Sequence, residues 1–288
     1  MRPRYRRTHF IVRRNSMKLS LFGYVKQRLK TAIALDVVFA LYLAFCLGSG
    51  IYFGVSGATG VCIRAFVFML FVPVVYLAEY LLKLEITPAT CALMLFIGVG
   101  SLLGGGFNVY TTVPFFDTVL HGISGFVFAC IGFSVLKVLI GNPDNSKRFF
   151  ACLIFGFICS LAIAALWELF EFTASLISGT DIQEDTIVSG FQSFLISGDH
   201  SNAYDASDIL QTVIQFKDGR EPLVIDGYLD IGLIDTIEDM AICLGGAVIY
   251  CIALTADWFT AKKPLNRIFI PAYTGKKTRS ETEVAAVE

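Results

Sequence analysis

Six stretches of the chain, roughly residues 32–55, 64–84, 88–111, 117–140, 149–177 and 232–258, are almost wholly apolar. A helix needs about 20 such residues to cross the hydrocarbon core of a bilayer. The runs therefore predict an all-α polytopic membrane protein with six transmembrane helices. Composition agrees: 16% of the 288 residues are charged, against roughly 25% in a soluble chain. The second and third runs are parted only by a turn signal at Thr87-Pro88, and the third carries the small-residue stretch "GVGSLLGGG" (98–106), suited to close helix packing.

The charges order these spans. Residues 1–30 hold ten Lys and Arg, and no small-residue cleavage site precedes the first span. They read as a basic cytosolic tail rather than a signal peptide. Such a tail suits anionic membrane lipids, and nucleic acid is not expected as a partner because no nucleic-acid-binding fold accompanies it. Lys83, Lys137, Lys147 and Arg148 flank the next connections on the same side, and Lys262, Lys263, Arg267, Lys276, Lys277 and Arg279 follow the last span. The alternate connections hold only Arg64, then nothing in 105–117, then Lys217 and Arg220 in 180–231. By the positive-inside rule both termini lie in the cytosol. The expected organisation is a tail over 1–30, a six-helix membrane domain over 31–260 with an extracytoplasmic loop at 180–231, and a second cytosolic tail over 261–288.

That loop carries ten acids against two basic residues. Within it "QTVIQFKDGREPLVI" (211–225) has the pattern of a hairpin turning at Asp218-Gly219. A loop of this length with its own structure fits a lid or cap, or a solvated connection. Of the eight cysteines, seven sit in apolar runs, where Cys behaves as a small hydrophobe, and Cys62 falls in a short connection. No CxxC pair suggests a thiolate metal site or a disulfide framework.

Within this apolar frame three consecutive spans each carry paired polar groups. "FFDTVLHGISG" (115–125) sets Asp117 and His121 one turn apart, "ALWELFEFTASL" (165–176) sets Glu168 and Glu171 at i,i+3, and "GLIDTIEDMAICLGG" (232–246) sets Asp235 and Asp239 at i,i+4. Each spacing puts both groups on one helical face, and the topology puts all six at the outer end of their spans. An ionised acid at a helix centre costs roughly 2.5–3.5 kcal/mol, less toward the interface, and these segments contain no Lys or Arg. Hydration, protonation or a bound cation must compensate, and a divalent metal ion is favoured. Carboxylates suit Mg²⁺ or Mn²⁺, and an imidazole among them brings in Zn²⁺. Asp117, His121, Glu168, Glu171, Asp235 and Asp239 are the candidate ligands, with His121 also a candidate catalytic acid or base. The bland reading of each pair is a capped or hydrated helix end, with Asp117 at a helix N-terminus. Glu238 points off the Asp235/Asp239 face, Asp185 is a more remote candidate, and His200 reads as solvated. Asp36 and Glu79 lie at the opposite end of spans one and two, where local pairing near Lys30 and Lys83 is expected.

"FDTVLHGISGF", "WELFE" and "GYLDIGLIDTIEDM" together resemble the YjdF-like family of bacterial multi-span membrane proteins over approximately residues 30–260. More distantly the pattern is similar to VanZ-like membrane proteins, which usually have Gln where Glu171 stands and Asn near Asp239. The resemblance implies a bacterial inner-membrane location and brings no established reaction with it. Three functions stay open on the residues alone. One is a metal-dependent hydrolase or transferase of a lipid-linked substrate at headgroup depth; another is a cation or proton transporter or channel. The third is a non-catalytic membrane component. The sequence does not set the oligomeric state.

Overall fold

The computed structural model describes residues 20–143 and 145–273. The first nineteen residues and 274–288, the greater part of each expected tail, lie outside the described residues. Six helices among those described are long and apolar enough to cross a membrane: Ile33–Val55, Thr59–Leu82, Pro88–Gly106, Phe116–Ile140, Ser146–Ser178 and Leu233–Trp258. Their outward faces carry exposed residues such as Leu41, Ile51, Leu139 and Ile252, as a lipid-facing surface should.

The first described element is a helix that hydrophobicity alone did not announce, α1 (Leu21–Thr31), separated from α2 (Ile33–Val55) by a break at Ala32. The second span is two helices, α3 (Thr59–Phe68) and α4 (Phe71–Leu82). Pro73 explains the interruption: it has no N–H for the Met69 carbonyl, and its ring crowds that carbonyl. The Met69 and Leu70 amides bond three residues back instead, to Phe66 and Val67. The span starts at Thr59 rather than 64, so Cys62 lies in a helix and not in a connection.

After the short strand β1 (Leu84–Glu85), α5 (Pro88–Ser101) begins with Thr87 accepting from the Thr90 amide and continues as a π-helical turn through Leu102–Gly106. Asn108, in the left-handed region at φ 60°, ends it, short of the expected 111. A four-residue helix α6 (Val109–Thr112) leads to α7 (Phe116–Ile140) and α8 (Ser146–Ser178). The 180–231 segment then holds β2 (Thr186–Val188), β3 (Phe191–Ser193), the short α9 (Phe194–Ser197), β4 (Tyr204–Ala206), β5 (Thr212–Ile214), β6 (Leu223–Ile225) and β7 (Tyr228–Asp230). The chain returns through α10 (Leu233–Trp258), α11 (Pro264–Phe269) and β8 (Ala272–Tyr273).

These elements form two compact units, one holding residues up to Ser160 and from Leu244, the other Leu161–Cys243. Among the described residues the first unit has two cores. Leu35, Phe39, Tyr42, Cys46, Ala65, Val75 and Leu95 make one, and Cys130, Phe133, Phe149, Cys152, Tyr250 and Leu254 the other. All eight cysteines are free thiols. Backbones come close where side chains are absent. A Cβ on Gly156 would lie 2.5 Å from the Ala129 carbonyl oxygen, one on Gly246 would run into the Gly122 carbonyl, and one on Gly100 into the Leu120 side chain. Gly98 and Gly100, in the small-residue stretch, thus serve close packing.

Gly245 and Gly246 make an internal contrast, because a Cβ on Gly245 meets nothing within 4 Å. Gly245→Ala is expected to be neutral or slightly stabilising, since Ala is the better helix former. Gly246→Ala should cost about 1–3 kcal/mol, the usual range for overpacking, because a backbone carbonyl cannot step aside as a side chain can. Thermal unfolding of the two purified variants checks the pair, and equal melting temperatures would count against the close α7–α10 approach.

The first unit also takes in part of the expected second tail. Thr90 Oγ1 and Cys130 Sγ both donate to the Phe269 carbonyl, at 2.8 and 3.1 Å, and Lys137 Nζ donates to the Pro271 carbonyl at 2.8 Å. Asp257 accepts from the Leu265 and Asn266 amides at the start of α11, and β8 pairs antiparallel with β1.

In the second unit three antiparallel pairs, β2–β7, β3–β4 and β5–β6, make up the loop. The expected hairpin is present, with Thr212 opposite Ile225 and Ile214 opposite Leu223. Its turn is closed by the Gly219 amide on the Phe216 carbonyl, so Lys217-Asp218 are the central residues and Gly219, at φ 78°, follows them.

Candidate functional site

In the second unit the site is framed by the ends of two helices. The last turns of α8 stop at Gly179, which takes φ 64° and returns its amide to the Ser175 carbonyl, the usual glycine exit from a helix. Glu168 and Glu171 stand two to three turns before that stop, one turn apart on one face. The start of α10 is fixed by Asp230, whose carboxylate accepts from the Ile234 amide at 2.7 Å. Gly232 at φ 85° makes the entry, and a Cβ there would strike Gln183. Gln183 in turn donates to Thr236 Oγ1 at 2.6 Å, and β2 runs antiparallel to β7, pairing Thr186 with Asp230. The segment after α8 is thereby tied to the first turns of α10.

This frame brings Glu168, Glu171 and Asp239 together: each offers a carboxylate oxygen, and the three oxygens lie within 4.8 Å of one another. Glu168 and Asp239 are each only 5% exposed, and Glu171 is half-buried. Asp235, one turn before Asp239 and also half-buried, is not part of this trio. Glu238 is exposed, as its position off the face requires, and so is His200, beside the Phe194 ring. Asp185 is exposed in the segment before β2; slight desolvation, with the Asp181 and Asp230 carboxylates nearby, raises its carboxyl above the ordinary value.

In the first unit Asp117 lies in the first turn of α7, where the helix dipole favours an anion. His121 Nε2 is 3.6 Å from Asp117 Oδ2, with the His side chain 13% and the Asp side chain 39% exposed. That distance is too long for a hydrogen bond and leaves the two groups in polar contact. The helix spacing thus yields the contact it implied.

Asp36 and Glu79, also in the first unit, have found partners at longer range than expected. Asp36 accepts from the Tyr76 hydroxyl at 3.3 Å. Glu79 is wholly buried and meets the guanidinium of Arg28, fifty-one residues earlier in the chain. Sequence reading missed Arg28, Gln183 and the Asp230 cap. Only the cap had a local signal, an Asp three residues before the first apolar helical position.

Among curated proteins and among solved structures nothing matches the chain. The family described as "Predicted membrane protein (DUF2238)" matches residues 34–258, from the first turn of α2 to the last residue of α10. The match takes in all six long apolar helices and every candidate residue, and the chain belongs to this family of integral membrane proteins.

Proposed function

We propose that Glu168, Glu171 and Asp239 bind a divalent cation and that the protein is a membrane-embedded hydrolase or transferase acting on a lipid-linked substrate. The observation that carries this reading is the convergence of three carboxylates within 4.8 Å, two of them almost fully buried. Two carboxylates at that separation repel by about 3–4 kcal/mol at an effective dielectric near 20. The helical parts of the unit, 161–178 and 233–243, contain no Lys or Arg to offset this. A hard divalent ion such as Mg²⁺ or Mn²⁺ fits an all-oxygen donor set, and Zn²⁺ enters where imidazole contributes. Such an ion would polarise a phosphoester or acyl group and activate water.

His121 is the proposed proton-transfer group, since imidazole changes charge near neutral pH. Asp117 and Asp235 are kept as candidate ligands on their helix spacing. The charge asymmetry of the connections supports both termini in the cytosol and the 180–231 loop outside. The resemblance to YjdF-like and VanZ-like proteins supports an acidic site on these spans.

Metal analysis of the purified protein tests the proposal. The wild type should carry a stoichiometric divalent metal, and Glu168→Ala and Asp239→Ala should lose it while eluting as folded protein. A metal-free wild type that takes up none of Mg²⁺, Mn²⁺ or Zn²⁺ would remove the reading.

A further inference from the structure

The first described helix, α1, has two unlike sides. Tyr24 and Arg28 point into the protein, 7% exposed and with an 11% exposed side chain, and both donate to Glu79 of α4. On the opposite side, at 3.6 residues per turn, stand Phe22, Lys26, Leu29 and Lys30. Phe22 is 78% exposed, Leu29 51% exposed, and both lysines are exposed. The helix contains no acidic residue. It is one residue away from the membrane helix α2, whose first residue, Ile33, is itself 73% exposed.

A phenylalanine and a leucine alternating with lysines is poorly suited to water and poorly suited to the hydrocarbon core. It suits the boundary between them, where apolar side chains enter the acyl region and ammonium groups meet phosphates. The Arg28–Glu79 bond fixes the helix against α4 in that role, which turns Arg28 inward and leaves Lys26 and Lys30 as the cations on the outer face. Tyr24 and Tyr80, ring centroids 6.0 Å apart beside this contact, add the aromatic residues typical of the same depth.

We propose that α1 is an interfacial helix whose outer face, Phe22, Lys26, Leu29 and Lys30, binds anionic phospholipid headgroups. Charge complementarity and direct continuity with a membrane helix select this occupant. The site is independent of the carboxylate trio.

The test uses the full chain in phosphatidylcholine nanodiscs containing rising fractions of phosphatidylglycerol, with thermal stability as the readout. Phosphatidylglycerol should raise the melting temperature of the wild type and of Lys26→Arg/Lys30→Arg. Lys26→Gln/Lys30→Gln should melt as the wild type does in pure phosphatidylcholine and need roughly 10–30-fold more phosphatidylglycerol for the same shift, about 5-fold per lysine. A Gln pair that responds as the wild type does would overturn the proposal. So would Phe22→Ser/Leu29→Ser if it changed the oligomeric state and left the phosphatidylglycerol response intact, because the face would then be a contact between protein chains.

Discussion

Arg28→Met is expected to lower the stability of the protein by about 3–5 kcal/mol, the range for stranding one partner of a buried ion pair. The Glu79 side chain is fully buried and accepts hydrogen bonds from the Tyr24 hydroxyl at 3.0 Å, from Arg28 Nε at 3.1 Å and Nη2 at 2.7 Å, and from the Ile86 amide at 2.7 Å. Arg28 Nη2 also donates to the Ile86 carbonyl at 3.0 Å, so the guanidinium ties α1 to the segment that follows α4. Without it, Glu79 keeps the neutral Tyr24 and Ile86 donors and loses the charge of the guanidinium. Tyr24 stays a neutral donor to the carboxylate: burial, with the Glu79 charge adding to it, holds its hydroxyl well above its ordinary pKa.

Arg28→Lys should recover only part of the loss, because an ammonium cannot make the two-point contact of the planar fork. Arg28→Met combined with Glu79→Leu should recover most of it, since a buried pair replaced by apolar groups is often neutral. A double-mutant cycle on denaturation free energies reads the coupling directly. A single Arg28→Met variant that loses less than ~1 kcal/mol would show that Glu79 is not held as a buried anion.

The same residues show what a linear reading of the chain captures. The six membrane helices were legible because length and apolarity are properties of a contiguous run, and their ends were placed within a few residues except in the second and third. There the deciding features were local but not hydrophobic: Arg64, a charge that reads as part of a connection yet lies inside the helix that starts at Thr59, and Asn108, whose left-handed backbone ends the third. The hairpin of 212–225 was legible through its turn. The pairing of β2 with β7, whose residues lie some forty positions apart, was not, since strands of three residues carry no period to read.

For the candidate site, helix spacing gave the Asp117–His121 contact and the shared face of Glu168 and Glu171. It could not say which acid of α10 would meet the glutamates. Asp235 and Asp239 are equivalent by spacing, and the choice of Asp239 depends on tertiary contacts anchored by Gln183, Thr236 and Asp230. Arg28 was legible only as one of ten cations in the first thirty residues. Its role depends on Glu79, which a run-by-run reading assigns to its own neighbourhood.

Asp239→Asn is expected to change the sign of its effect when metal is added. With a chelator present, three carboxylates share a buried space, and removing one charge relieves two repulsions of about 3–4 kcal/mol each at an effective dielectric near 20. Protonation or relaxation in the wild type will absorb part of this, so the variant should be more stable than the wild type by about 1–3 kcal/mol. With Mn²⁺ or Mg²⁺ at about 100 times its dissociation constant, the wild type should gain about 2.7 kcal/mol from binding. The variant, lacking an anionic ligand, should gain little, and the order of the two melting temperatures should reverse or close up. Helix capping at the membrane boundary, the competing account of these acids, predicts no metal term in either protein and no gain from the Asn in chelator. Melting curves of both proteins in chelator and in excess metal therefore separate a cation site from a set of capped helix ends, whatever the substrate is. An Asp239→Asn protein that is less stable than wild type in chelator, and equally responsive to metal, would leave the trio without the role assigned to it.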